Sequence, residues 1–229
     1  MRPLPVLAVV AAIAGCAPTL AHSATHARAS VTVVAAARRP LVVTSVSFGS
    51  ASDGWLLAQP QCSRAGCGLL LLRSADGGRH WHAVPALPLR FGNIAAVTFA
   101  SARDGWLYGT RALWATHDGG ARWHRVSLPP GGQLLSVTAG AGRILVSIGQ
   151  CGSDSPVCSF QLWTGPAGAN SFRPVPGANG PNHAPEPAVA ISGGTGFAYA
   201  TWLDHPVSEH MLLTGPVDGS HRWHRLRDP

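Results

Sequence analysis

The sequence predicts an all-β chain assembled from repeated four-stranded units, and three observations carry that prediction. An eight-residue turn pattern occurs twice, as SADGGRHW at 74–81 and THDGGARW at 116–123, with its aspartates 42 residues apart. Four successive segments of roughly 40–50 residues each hold short apolar runs of strand length separated by turn signals, the mark of a propeller repeat. Among 229 residues, glycine (27) and proline (19) are frequent and charge is confined to 12%. No sustained 3.6-residue apolar period competes with this reading. The expected architecture is a β-propeller-type array of four-stranded antiparallel blades, about four of them recognisable, in an incomplete or open ring.

Residues 1–15 read as a signal peptide, with Arg2 as the positive region and an apolar run at 4–14. Ile13-Ala14-Gly15-Cys16 resembles the lipobox of bacterial lipoproteins, in which cleavage precedes a cysteine that is then lipidated. An ordinary signal cut near Ala21 is the alternative, and it discards Cys16. Residues 16–30 are small and polar, as a flexible tether is, and the folded domain is expected over 31–229. After residue 16 nothing is long and apolar enough to span a membrane as a helix. The expected location is therefore extracytoplasmic, at a bacterial cell membrane through a lipid on Cys16, with a secreted protein as the alternative.

The cysteines fit export. Of five, Cys62 with Cys67 and Cys151 with Cys158 form two local pairs that span short loops, leaving Cys16 as the odd one. Local pairs in an exported chain are usually disulfides. Neither pair has the two-residue spacing of a zinc site, so no metal and no cofactor are expected.

The first unit predicts strands at 44–48, 54–58, 69–73 and 81–84. The second starts at Ile94 and matches the first along its whole length, including SASDGW against SARDGW at the turn between first and second strands. The third, from Leu134, has Gly168 or Ala169 where the aspartate stood and Phe172 in place of tryptophan. The fourth, from Pro187, keeps Asp218 and Trp223 at an altered interval. A further strand within 30–36 is expected to cover one bare side face of an open array.

The repeated turn has a physical logic. Asp76 and Asp118 sit where a carboxylate can accept bonds from the backbone N–H groups of a tight turn that Ser74 and Thr116 open. Gly78 and Gly120 supply backbone conformations closed to residues with a Cβ. Trp81 and Trp123 bury a large ring beneath it. In an antiparallel blade this turn shares one end with the first-to-second turn. The cysteine loops, the segment 203–210 and the links at 85–93, 128–133 and 176–186 collect at the other end. Binding usually resides in such loops on a rigid scaffold. The candidate ligand-face residues are accordingly Arg64, Arg90, His183, Asp204, His205, Glu209 and His210.

Both octets fit S/T-x-D-x-G-x-x-W, and over 43–126 the chain resembles the Asp-box, or bacterial neuraminidase repeat, β-propellers. Those include sialidases, sortilin-like ectodomains and the photosystem II stability/assembly factor family. The run FASARDGWLYGTRALWATHDGGARW is most similar to the last. That resemblance implies a non-catalytic propeller docking on a protein partner, and makes the Asp-box residues scaffold rather than site. The sialidase alternative implies a glycan ligand and glycoside hydrolysis. It requires an arginine triad, a tyrosine nucleophile with an acidic partner, and an acid/base aspartate. The only tyrosines are Tyr108 and Tyr199, the only glutamates Glu186 and Glu209, and the nearest arginine motif surrounds Arg173. Such a site does not assemble from these residues.

His82, His124 and His224 each follow the tryptophan of a blade, too far apart to share a metal. All 17 basic residues are arginine, scattered without a block or interleaved aromatics, so the net charge of +7 does not point to nucleic acid. The expected partners are a protein or glycan, the membrane through the lipid, and further copies of the chain if the ring is open.

Overall fold

The computed structural model describes residues 32–33, 40–60, 68–84, 94, 96–129, 132–151, 158–184, 187–204 and 207–226. Those residues form four sheets and no helix. Blade one holds β1 (Thr32–Val33), β2 (Leu41–Phe48), β3 (Gly54–Pro60), β4 (Leu70–Ser74) and β5 (His80–Ala83). Blade two holds β6 (Ala96–Phe99), β7 (Gly105–Gly109), β8 (Ala112–Thr116) and β9 (His124–Val126). Blade three holds β10 (Gln133–Gly140), β11 (Arg143–Cys151), β12 (Cys158–Pro166) and β13 (Arg173–Ala184). Blade four holds β14 (Ala188–Ser192), β15 (Thr195–Asp204), β16 (Val207–Pro216) and β17 (His224–Leu226).

Apart from β1, the strands of each blade pair in chain order as an antiparallel meander. The first strands adjoin from blade to blade, β2 against β6, β6 against β10 and β10 against β14. No contact of comparable extent joins blade four to blade one among the described residues, so the array is an open arc.

Burial explains why four sheets make one body. A strand presents alternate residues to opposite faces, and each pair of successive blades buries the facing sides between them. Trp55, Leu57 and Leu71 of blade one meet Val97, Phe99 and Trp123 of blade two. Trp106, Leu113 and Val126 meet Leu134, Val137 and Ile144 of blade three. Leu145, Phe160 and Leu162 meet Ala198, Leu213 and Trp223 of blade four. The core therefore consists of three inter-blade layers. Hydroxyls tie the inner strands as well. Ser47 Oγ accepts the Phe99 N–H at 2.8 Å, and Ser136 Oγ donates to the Pro187 carbonyl at 2.6 Å.

One bond recurs in every blade. The turn between third and fourth strands donates a backbone N–H to the turn between first and second. It runs from Gly77 to Ser52, Gly119 to Arg103, Ala167 to Gly142 and Val217 to Gly194, at 2.8–2.9 Å. This shared bond places the degenerate turns of blades three and four at the same end as the two clear ones.

Three expectations need correction. Thr32–Val33 pairs in parallel with the outer edge of β5 and covers no side face. That makes blade one five-stranded. Of the segment read as a loop at 203–210, residues 203–204 and 207–210 are strand, because β15 and β16 stay in register from Thr195↔Pro216 to Asp204↔Val207. Most of the link read at 176–186 is likewise strand. β13 runs twelve residues beside β12, with register shifts that let it follow the sheet. Those stretches carry too little alternating pattern to announce strands, and the neighbouring strand's unpaired edge organises them instead.

Candidate functional site

The Asp-box turns are hydrogen-bond cages. Ser74 Oγ donates to Asp76 Oδ1 at 2.8 Å and accepts the Gly78 N–H at 2.9 Å. Asp76 Oδ1 accepts the N–H groups of Arg79 and His80, both at 3.0 Å. Blade two repeats this. Thr116 Oγ1 donates to Asp118, the Gly120 N–H reaches Thr116, and the Arg122 N–H reaches Asp118. The indoles of Trp81 and Trp123 donate to the carbonyls of Gly78 and Gly120. Gly78 and Gly120 have φ of 87° and 98°, where a Cβ is strained. In blade four, Asp218 Oδ1 accepts the Ser220 N–H and the Trp223 indole donates to Pro216.

The carboxylates register these bonds. The His80 backbone N–H, then the His80 ring and the Ser74 hydroxyl, hold Asp76 well below the usual carboxylate range. For Asp118, partial burial pushes upward, but the Arg122 N–H, the Thr116 hydroxyl and the Ala121 N–H together lower it. Asp218 is lowered chiefly by the Ser220 N–H. Every one of these groups serves its own turn.

The opposite end of the arc carries a groove between blades two and three. Its two lobes measure about 390 and 370 Å³ and meet at Gly132. Arg111, Arg125 and Ser127 line the first lobe, with Leu128 and Val126 beneath them. Ile148, Ser159, Phe160, Gln161, Trp163 and Asn179 line the second. Neither lining includes an acidic side chain among the described residues. Local structure builds it simply. Thr110 and Arg111 close the β7–β8 turn, the link from β9 to β10 passes Leu128 and Gly132, and the N–H of Leu134 bonds the Thr110 carbonyl at 2.8 Å. The Gln161 amide donates to the carbonyls of Val175 and Ala178, which pins β13 where it departs from regular pairing.

Cys16, Cys62, Cys67, Arg64, Arg90 and His205 lie outside the described residues. His183 is near the end of β13, Asp204 ends β15, and Glu209 and His210 lie in β16, all at the groove end but in blades three and four. His210 is exposed, and its carbonyl accepts a bond from Arg225. The register sets Cys151 directly opposite Cys158 across the β11–β12 pair. The groove residues Arg111, Arg125 and Trp163 were not legible as a site. Each is an isolated residue in the sequence, Arg111 in the β7–β8 turn, Arg125 within β9 and Trp163 within β12, and the link from β9 to β10 joins their lobes at Gly132.

The residues a sialidase needs are scattered. Tyr108 is packed between blades two and three, its hydroxyl donating to the Val137 carbonyl at 3.4 Å, and burial pushes it upward. Tyr199 stands exposed in β15 of blade four, and Arg173 donates to the Asp218 carbonyl at the Asp-box end. One polar cluster was unforeseen. His117 Nδ1 meets Asp104 Oδ1 at 2.9 Å, and the Nε2 atoms of His117 and His124 both meet Asn170 Oδ1 of blade three. It lies at the Asp-box end and joins two blades. No group of three or more potential metal ligands exists among the described residues.

No protein-family model matches the chain, and no curated protein sequence does. Among solved structures it is similar to YCF48 from Cyanidioschyzon merolae, at 19% identity and a TM-score of 0.50. The match covers 84% of this chain and 58% of that one, so the chain spans little more than half of it. A structure of YCF48 bound to D1 peptide matches at 14% identity and a TM-score of 0.43, covering 83% and 70% of the two chains. A subtype N11 neuraminidase-like protein from a flat-faced bat influenza strain of Peru matches at 8% and 0.49, covering 82% and 55%. The likeness is one of fold, that of a β-propeller, of which the described residues here form an open arc of four blades.

Proposed function

We propose that this protein is a non-catalytic binding propeller that holds a segment of another protein in the groove between blades two and three. The observation that carries the reading is the composition of that groove. Two arginines stand at one lobe and Trp163 with Asn179 at the other, with no carboxylate in either lining. Such a surface suits an extended segment carrying an acidic side chain for Arg111 and Arg125 and an apolar one against Trp163. It offers no acid/base pair for hydrolysis.

The protein acts outside the cytoplasm in this reading, held to the membrane by a lipid on Cys16. The lipobox-like Ile13-Ala14-Gly15-Cys16 supports the anchor. The facing positions of Cys151 and Cys158 support a disulfide. Directly opposed residues in antiparallel strands have Cα atoms about 4.5–5.5 Å apart, which a disulfide spans.

A photocrosslinker at Ser127 in intact cells recovers a protein neighbour. Arg111→Glu with Arg125→Glu lowers that recovery roughly tenfold, equivalent to about 1.4 kcal/mol, with the melting temperature unchanged. Turnover of a fluorogenic sialoside that survives mutation of Trp81 but not of Tyr108 or Tyr199 would overturn the reading in favour of the hydrolase alternative.

A further inference from the structure

The two ends of the arc carry the two halves of a contact that the interior makes three times. Blades one and two show this position by position. In blade two, Val97 and Phe99 face the preceding blade and are 3% and 2% exposed. Val46 and Phe48 hold the same places in blade one, before the same Asp-Gly-Trp turn, and are 56% and 47% exposed. Nothing among the described residues precedes them. Blade four supplies the complementary half. Tyr199 lies between Ala188 and Leu212, as Tyr108 lies between Ala96 and Leu113 in blade two. Tyr108 packs into the layer with blade three and bonds its inner strand, whereas Tyr199 is 46% exposed. Phe197 faces Ala190 and Thr214 as Trp55 faces Ser47 and Arg73. Trp55 is the ring on which Phe99 stacks, with centroids 3.6 Å apart.

We propose that a second copy of this chain occupies these faces, blade four of one copy packing on blade one of the other. Phe48 then stacks on Phe197 of the second copy, and Tyr199 reaches the inner strand beside Val46. The contact continues the inter-blade layer already present, so it asks for no new kind of packing. Terminal repeats that stay single carry a polar outer face, whereas neither β2 nor β14 contains a charged residue. A head-to-tail contact yields a ring where rotation closes and a filament where it does not. Two copies bring eight blades, within the range of about four to eight that propellers use. The pair therefore closes with two equivalent contacts and needs no third copy. The groove between blades two and three stays open, since it lies away from both faces.

Light scattering of the purified protein at micromolar concentration gives a mass twice that of the single chain. Val46→Asp in blade one and Tyr199→Asp in blade four each halve that mass, with the strand signal in circular dichroism retained. If Tyr199→Asp loses that signal, Ala190→Asp on the same exposed face takes its place. A mixture of the blade-one and blade-four variants recovers pairs at higher concentration, because one intact contact remains between them. A single-chain mass at every concentration, a pair insensitive to either substitution, or an open ladder of higher species overturns the proposal.

Discussion

Trp55 and Trp106 occupy the same position in successive blades, each after an Asp-Gly pair and each fully buried. Their indole N–H groups differ in what they meet. The Trp55 indole N–H reaches the Gly119 carbonyl in the Asp-box turn of the next blade at 3.1 Å. The Trp106 N–H meets no partner among the described residues. The next turn there is Pro166-Ala167-Gly168-Ala169, which lacks the paired glycines of the Asp-box and gives that N–H no acceptor. A phenylalanine deletes the donor at either site and loses similar volume. Only at Trp55 does it strand a buried acceptor, so Trp55→Phe costs about 1–3 kcal/mol more than Trp106→Phe. Urea midpoints with unchanged slopes measure the difference, and equal losses would refute the assignment. The repeated tryptophan is readable from the sequence; its orphaned N–H follows from a turn 60 residues away (106 to 166).

At the scale of one element, the Asp-box turn is where sequence and structure agree most closely. The bonds of its Ser/Thr and Asp side chains to the turn amides are closed within eight residues, so its residue types are enough to specify it. Asp118→Ala leaves the Arg122 N–H without its acceptor and costs about 1 kcal/mol, the net worth of such a bond, with ligand capture unchanged. Acid acts on the same bonds. The folded carboxyls of Asp76 and Asp118 sit below their ordinary value, which for a free aspartate is about 3.9. Stabilisation from that lowering is complete above the unfolded value and is lost as pH falls through it toward the folded ones. The melting temperature should hold steady above about pH 5 and decline below about pH 4, with a shallower decline in Asp118→Ala. A decline already complete at neutral pH would point to another group. The long strands of blades three and four are the contrary case. Asp204, Glu209 and His183 were read as loop residues, and they lie in strands because β15, β16 and β12 offer edges to pair with.

At the scale of the whole molecule, stability comes from layers between blades, so position in the arc matters as much as local sequence. Blades two and three are covered on both faces, and the outer blades on one. In the Val46→Asp chain, kept single, hydrogen exchange should be slowest in β7, β8 and β11 and fastest in β2 and β17, because opening an end blade exposes one layer rather than two. Uniform protection would mean that the arc unfolds only as a unit. The groove belongs to this scale too. Arg111 and Trp163 stand 52 residues apart (111 to 163) and belong to one groove only because their two lobes meet at Gly132.

By itself the sequence determined the all-β class, the blade period, the two clear Asp-box turns and the end of the blade to which variable segments go. Each of these is written in local spacing, where hydrogen bonds and the two-residue strand period act within one segment. The tertiary structure alone decided that the groove lies between blades two and three, and that the same valine and phenylalanine are buried in blade two and bare in blade one. Those outcomes depend on which surface faces which, and identical local sequence acquires a different environment when no neighbouring blade covers it.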